Sequence, residues 1–137
     1  PDASRKKSLF SVEQLVAAHG KVKSGADFPA YIQEIKAMGV TGYETYVADG
    51  HTDYHGLNDH IATVPAKYDP IAIADVIHAE KFKSELLAHQ QGKTDFPTFI
   101  KMCASVGVEK WAISMEKMTC TYYDKSANEI LVEHIPA

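Results

Sequence analysis

Cysteine is scarce in this chain of 137 residues. The two present, Cys103 and Cys120, have no partner at a C-x-x-C or other zinc-type spacing, so neither a dithiol centre nor a thiolate metal cage is expected. They read as small core residues. Long apolar runs are also missing. None approaches the roughly 20 residues needed to span a bilayer, and no signal peptide stands in the chain as given. A soluble, cytoplasmic protein with no membrane partner is the expectation, although a processed leader would leave no trace. Basic charge is thin as well: the net charge is −4, and lysine and arginine are dispersed apart from Arg5-Lys6-Lys7. Without a basic face to neutralise several phosphates, nucleic-acid binding is disfavoured. The Arg5-Lys6-Lys7 run reads as part of a polar tail over residues 1–7. Finally, no G-x-S-x-G, H-E-x-x-H, Walker A or G-x-G-x-x-G pattern occurs, which weakens the case for the common hydrolases, zinc proteases and nucleotide binders. No cofactor is expected.

What the chain does contain is the same passage twice. Asp27-Phe28-Pro29-Ala30-Tyr31-Ile32 returns as Asp95-Phe96-Pro97-Thr98-Phe99-Ile100, and the same offset of 68 carries Gly39-Val40 onto Gly107-Val108, Tyr43 onto Trp111 and Tyr54 onto Tyr122. Val64-Pro65-Ala66 matches Ile135-Pro136-Ala137 at an offset of 71, which implies three extra residues in a late turn of the second copy. This is the signature of a duplicated supersecondary unit. A unit of about 65 residues with open sheet edges would be marginal alone, so the copies are expected to share one core in a single domain over residues 1–137. The first repeat takes residues 8–66 and the second 70–137. Cys103 and Cys120 match Ile35 and Thr52, so no thiol role belongs to the repeated unit.

Within each copy the periodicity changes from helical to alternating. Phe10 as staple, Ser11 as N-cap and Gln14 three residues on predict a helix running to about His19, with Leu15 meeting Phe10. After a polar link over residues 20–26, Asp27 is expected to cap a second helix whose first turn tolerates Pro29. Its stripe is Phe28, Tyr31, Ile32, Ile35 and Met38, closed by Gly39. The second copy offers a helix over Ala79 to His89, then the stripe Phe96, Phe99, Ile100, Cys103 and Val106, closed by Gly107. His19 and His89, at matching helix ends, read as residues favoured there by the helix dipole.

Beyond each glycine, alternation predicts strands, and Asp49-Gly50 predicts a two-residue type I′ hairpin turn. Lys117-Met118 stand at that place in the second copy, where methionine at positive φ would be strained, so another turn type or a longer loop is expected. Third strands are expected near Ile61 to Val64 and Ile130 to Ile135, and a short one at Ile71 to Ala74. The result is α-α-β-β-β twice: an α+β two-layer sandwich with a mostly antiparallel sheet and helices on one face.

A two-residue turn makes Tyr43, Thr45 and Val47 share the helix-facing side with Thr52, Tyr54 and Gly56. The opposite side then carries Glu44, Tyr46, Ala48, His51, Asp53 and His55, with Glu44 opposite His55 and Tyr46 opposite Asp53. Two imidazoles, two carboxylates and a phenol on one face form the best local candidate for function. They suit a surface for a small molecule or a protein partner, with a homodimer among the arrangements allowed. An alternative is an enzyme using Glu44, His51, Asp53 and His55 in acid–base or metal-assisted chemistry. Four residues of strand separate His51 from His55 by about 13 Å, too far to ligate one ion together, so no metal site is assigned. The second copy has Ala112, Ser114, Glu116, Thr119, Thr121 and Tyr123 on this face, so any site is asymmetric.

Three stretches carry a family resemblance: Lys21-Val22-Lys23-Ser24-Gly25-Ala26-Asp27-Phe28-Pro29, Tyr43-Glu44-Thr45-Tyr46-Val47 with Asp49-Gly50-His51-Thr52-Asp53-Tyr54, and Ala88-His89-Gln90-Gln91-Gly92-Lys93-Thr94-Asp95. Through them the chain resembles, over roughly residues 8–137, the YdfO-like family of bacterial and prophage proteins, often labelled phage envelope protein. The resemblance implies a two-layer α+β fold, and a phage-related structural role through the label. It supplies no catalytic residue.

Overall fold

A computed structural model describes residues 10–22 and 27–136. The polar tail expected over residues 1–7 lies outside them.

Helix α1, Val12–His19, begins as its capping signature dictates: the Ser11 hydroxyl accepts from the Gln14 amide at 3.3 Å while the Ser11 amide donates to the Gln14 side chain at 2.8 Å. Phe10, Leu15 and Ala18 are buried. Helix α2, Phe28–Ala37, buries Tyr31, Ile32 and Ile35. Asp27 does not cap it as expected: its backbone is already helical, at φ −86° and ψ −10°, and its side chain makes no capping bond. Asp95, by contrast, is extended and accepts from the Thr98 amide at 2.9 Å. It opens α4, Phe96–Ser105, which follows α3, Ala79–Gln90. Among the described residues no helix is long and apolar enough to cross a membrane.

The strands are β1 (Val40–Tyr46), β2 (Thr52–Gly56), β3 (Ile61–Val64), β4 (Lys110–Ser114), β5 (Thr119–Tyr123) and β6 (Glu129–His134). They form one antiparallel sheet in the order β3-β2-β1-β4-β5-β6, an α+β architecture. Residues 71–74 form no strand. They belong to a crossing that is tied down by single bonds, from the Ile71 amide to the Ala48 carbonyl and from the Ala74 amide to the Ala104 carbonyl.

The first hairpin corrects the expected register. Tyr43 faces Tyr54, Glu44 faces Asp53 and Thr45 faces Thr52, and the Tyr46 amide donates to the His51 carbonyl, leaving a four-residue loop of Val47 to Gly50. A type I′ turn would need positive φ at both Asp49 and Gly50, and only Gly50 has it, at 78°. The Asp49 carboxylate accepts from the His51 amide at 3.0 Å, an Asx turn that holds Asp49 out of the left-handed region. The register moves by an even number of residues, so every side chain keeps its predicted face. The second hairpin has the same length, with Ser114 facing Thr119, and Met118 takes positive φ, 50°, at the place of Gly50.

Tyr31 from α2 reaches Tyr43 and Tyr54, Phe82 from α3 meets Tyr122, and Phe99 from α4 meets Trp111. The buried cluster runs through both sets of strands and includes Ile32, Ile35, Ile100, Val106 and Ile113, with Phe28 and Trp111 packed at its edge. Phe96 does not join it. That ring is 36% exposed, with the Lys67 ammonium 5.8 Å above it.

Candidate functional site

All five candidate residues are half-buried. Alternation in β1 turns Glu44 and Tyr46 to the face predicted to be polar because Tyr43 and Thr45 are buried on the other; β2 does the same with Asp53 and His55 between buried Thr52 and Tyr54. Rows across the sheet follow from the pairing. One runs Thr63, Asp53, Glu44, Ala112, Thr121, Val132, and the next Ile61, His55, Gly42, Ser114, Thr119, His134. The middle of the face is therefore floored by small residues, with the charged cluster to one side.

Within the cluster the side chains engage one another. His55 Nε2 lies 3.3 Å from Glu44 Oε1, a diagonal contact rather than the direct pairing expected. Asp53 accepts from the Thr63 hydroxyl at 2.7 Å. His51 is held on three sides: Nδ1 is 2.5 Å from Asp49 Oδ1, Nε2 is 4.0 Å from Asp53 Oδ2, and the ring stacks on Tyr46 with centroids 4.3 Å apart and planes 5° from parallel. The Lys110 ammonium sits 5.5 Å over Tyr46 and 5.4 Å over Tyr123.

The electrostatics follow from these contacts. The His51 amide, and then its ring, hold the Asp49 carboxyl below the ordinary carboxylate range. Burial, and then the carboxylates of Glu44, Asp53 and Glu109, push the Tyr46 phenol up. An imidazole with a carboxylate at Nδ1 is oriented as a general base is, and Nε2 faces a second carboxylate. Among the described residues, however, no three histidine, cysteine, aspartate or glutamate side chains converge on a point where a cation would sit. None of the five lines the described cavity. That cavity, about 190 Å³, is bounded by α1, β2, β3 and Lys67.

Sequence reasoning missed three participants. Asp49 reads from the sequence as a turn residue, though a carboxylate two residues before an imidazole is itself a signal for an Asx-type contact. Thr63 and Lys110 arrive through strand pairing, and no local pattern announces them. Two other histidines are engaged elsewhere: His60 Nε2 lies 2.9 Å from the Phe10 carbonyl, and His89 stacks on Phe99 with centroids 4.2 Å apart. Burial lowers the proton affinity of both His89 and His19, which opposes the positive charge that a helix C-terminus favours. The thiols are buried and free, with Cys120 pushed up to about 12 and Cys103 higher still by burial.

A comparison with curated proteins finds no match. The family described as "Protein of unknown function (DUF1398)" matches residues 16–134, and the chain belongs to that family.

Proposed function

We propose that the chain is a non-enzymatic binding module whose partner surface is the sheet face bearing Glu44, Tyr46, His51, Asp53 and His55. One observation carries this reading: the candidate side chains satisfy one another along a sheet face, through Glu44–His55, Asp49–His51 and Thr63–Asp53, and lie apart from the described cavity. Catalytic groups are ordinarily gathered in concave sites that exclude water, whereas a partner surface can be flat and rimmed with polar groups. The aromatic pair Tyr46 and Tyr123, bridged by Lys110, supplies the kind of amphipathic anchor that recognition surfaces favour. A protein partner, including a second copy of the chain, suits a face of this breadth.

The proposal extends to architecture. Each set of strands follows two helices, and both hairpins close on four-residue loops ending at positive φ, which supports duplication of an α-α-β-β-β unit in one two-layer domain with its helices on one face. A cytoplasmic location accords with the scarcity of cysteine. A phage-related structural role rests on the YdfO-like resemblance alone.

A second reading, acid–base chemistry at His51, is favoured by the Asp49 contact at Nδ1. The two part in one experiment. Untagged protein is purified from cells that express it natively, beside a Glu44→Ala/Tyr46→Ala/His51→Ala variant. The variant is expected to keep the circular dichroism spectrum and lose a stoichiometric co-purifying partner. A metal ion near one per chain, lost on Asp53→Ala, would instead place the enzyme reading first.

A further inference from the structure

The cleft beside α1 has a counterpart in the other set of strands, and the two are filled differently. Thr52 and Cys120 occupy the same place in their hairpins, facing Thr45 and Ile113. On their outer sides they pair with Val64 and Glu133, so strand register gives the place of Val64 to Glu133, and the Val-Pro-Ala and Ile-Pro-Ala match at offset 71 falls out of register. Ala-His lies at the end of α1 and one residue short of the end of α3, so aligning the two dipeptides sets Gly20 after His19 against Gln90 after His89. Around Tyr122 the protein supplies its own carboxylate: the Tyr122 hydroxyl donates to Glu133 Oε1 at 3.3 Å, and the Gln90 side-chain amide donates to the same carboxylate at 3.1 and 3.3 Å.

Around Tyr54 those two fillers are glycine and valine, and what remains is a cavity of about 190 Å³ lined by Leu15, Val16, His19, Gly20, Tyr54, Val64 and Lys67. Its floor, Leu15, Tyr54 and Val64, is buried; its rim is exposed. The hydroxyls of Tyr31 and Tyr54 lie 2.7 Å apart and make one bond between them. Two hydroxyls have two hydrogens, so one is left without an acceptor among the described residues. Lys67 adds an ammonium that lies 5.8 Å from the Phe96 ring and makes no ion pair among the described residues. Although Lys67 lies in an exposed stretch, enough protein surrounds its amine to hold it below the ordinary lysine range.

We propose that this cleft binds a small carboxylate with an apolar chain, its carboxylate accepting from Tyr54 and countering Lys67 while its chain lies against Leu15, Val16 and Val64. The guest would supply to Tyr54 what Glu133 supplies to Tyr122. This site is separate from the polar sheet face and does not depend on the reading of that face.

Titration with butanoate, hexanoate and octanoate, followed by backbone amide chemical shifts, tests it. At least one acid is expected to saturate shifts centred on Leu15, Val16, Gly20, Tyr54 and Val64, with hexan-1-ol weaker. Lys67→Met should weaken binding by about tenfold, the scale of one lost charge-assisted contact. Gly20→Gln with Val64→Glu installs the other half's fillers; Gly20 has ordinary helical dihedrals and an added Cβ meets nothing closer than 3.5 Å, so a folded protein that no longer binds is expected. If that double variant fails to fold, Lys67→Met alone decides. Absence of binding by all three acids, shifts centred elsewhere, or undiminished affinity in Lys67→Met would overturn the proposal.

Discussion

Met118 holds a backbone conformation that its counterpart Gly50 adopts freely, at φ 50° against 78°. A methionine in the left-handed region costs on the order of 1 kcal/mol, which here is offset by packing of its side chain at the edge of the core. Residue-level chemistry also sets the pH response. His89 is harder to protonate folded than unfolded, through burial opposed by Thr94 and Asp95, so between its two pKa values the unfolded chain binds more protons. Stability is then complete above about 6.5, the free imidazole value, and falls as pH drops through the lower folded value. His89→Gln should flatten the loss of stability seen in urea midpoints as pH falls below about 6.5. Deeper in, Ile32 is fully buried and Ile100 is 3% exposed, so truncating either to alanine should cost roughly 2 to 5 kcal/mol in chemical denaturation. These core residues were legible because helical spacing lays them on one stripe. Lys67 was not, because nothing local distinguishes a lysine over a cleft from one in solvent.

At the scale of elements, boundaries announced by a capping side chain or a glycine could be read from the chain, and loop geometry could not. Ser11 with Gln14, and Gly107 after α4, end their helices where expected. The Asp49-Gly50 loop failed because the Asp49 side chain has a nearer use: by accepting from the His51 amide it fixes its own backbone, and the hairpin widens by two residues. Faces survived that error, since an even shift leaves alternation intact, but partners did not, and Glu44 meets Asp53 across the strand rather than His55. Caps give the direct test. Removal of the carboxylate that accepts from the Thr98 amide, as Asp95→Ala, should lower the midpoint of thermal or urea unfolding and accelerate amide exchange in the first turn of α4.

In the whole molecule, the two sets of strands meet through one pairing, β1 against β4. Gly42 lies within it, where a Cβ would stand 2.6 Å from the Ile113 carbonyl oxygen, a backbone atom with no flexible side chain to yield. Gly42→Ala should lower the thermal midpoint and raise amide exchange at Thr45 and Ile113 together, since both strands must part. The composition of the sheet was readable in the repeat and its alternation, whereas the neighbourhood of β1 and β4 follows from no short-range signal. That same pairing also governs time. Tyr43 finds Tyr54 across a short loop, but it must find Ile113 across two further strands, the crossing over residues 65–78 and two helices. Loop closure over such a span is the slow search in folding, so each hairpin can form locally and wait on the central seam. Refolding speed should then answer to changes in β1 and β4 far more than to changes at the outer strands β3 and β6, whose loss would be felt chiefly in how fast the folded protein comes apart.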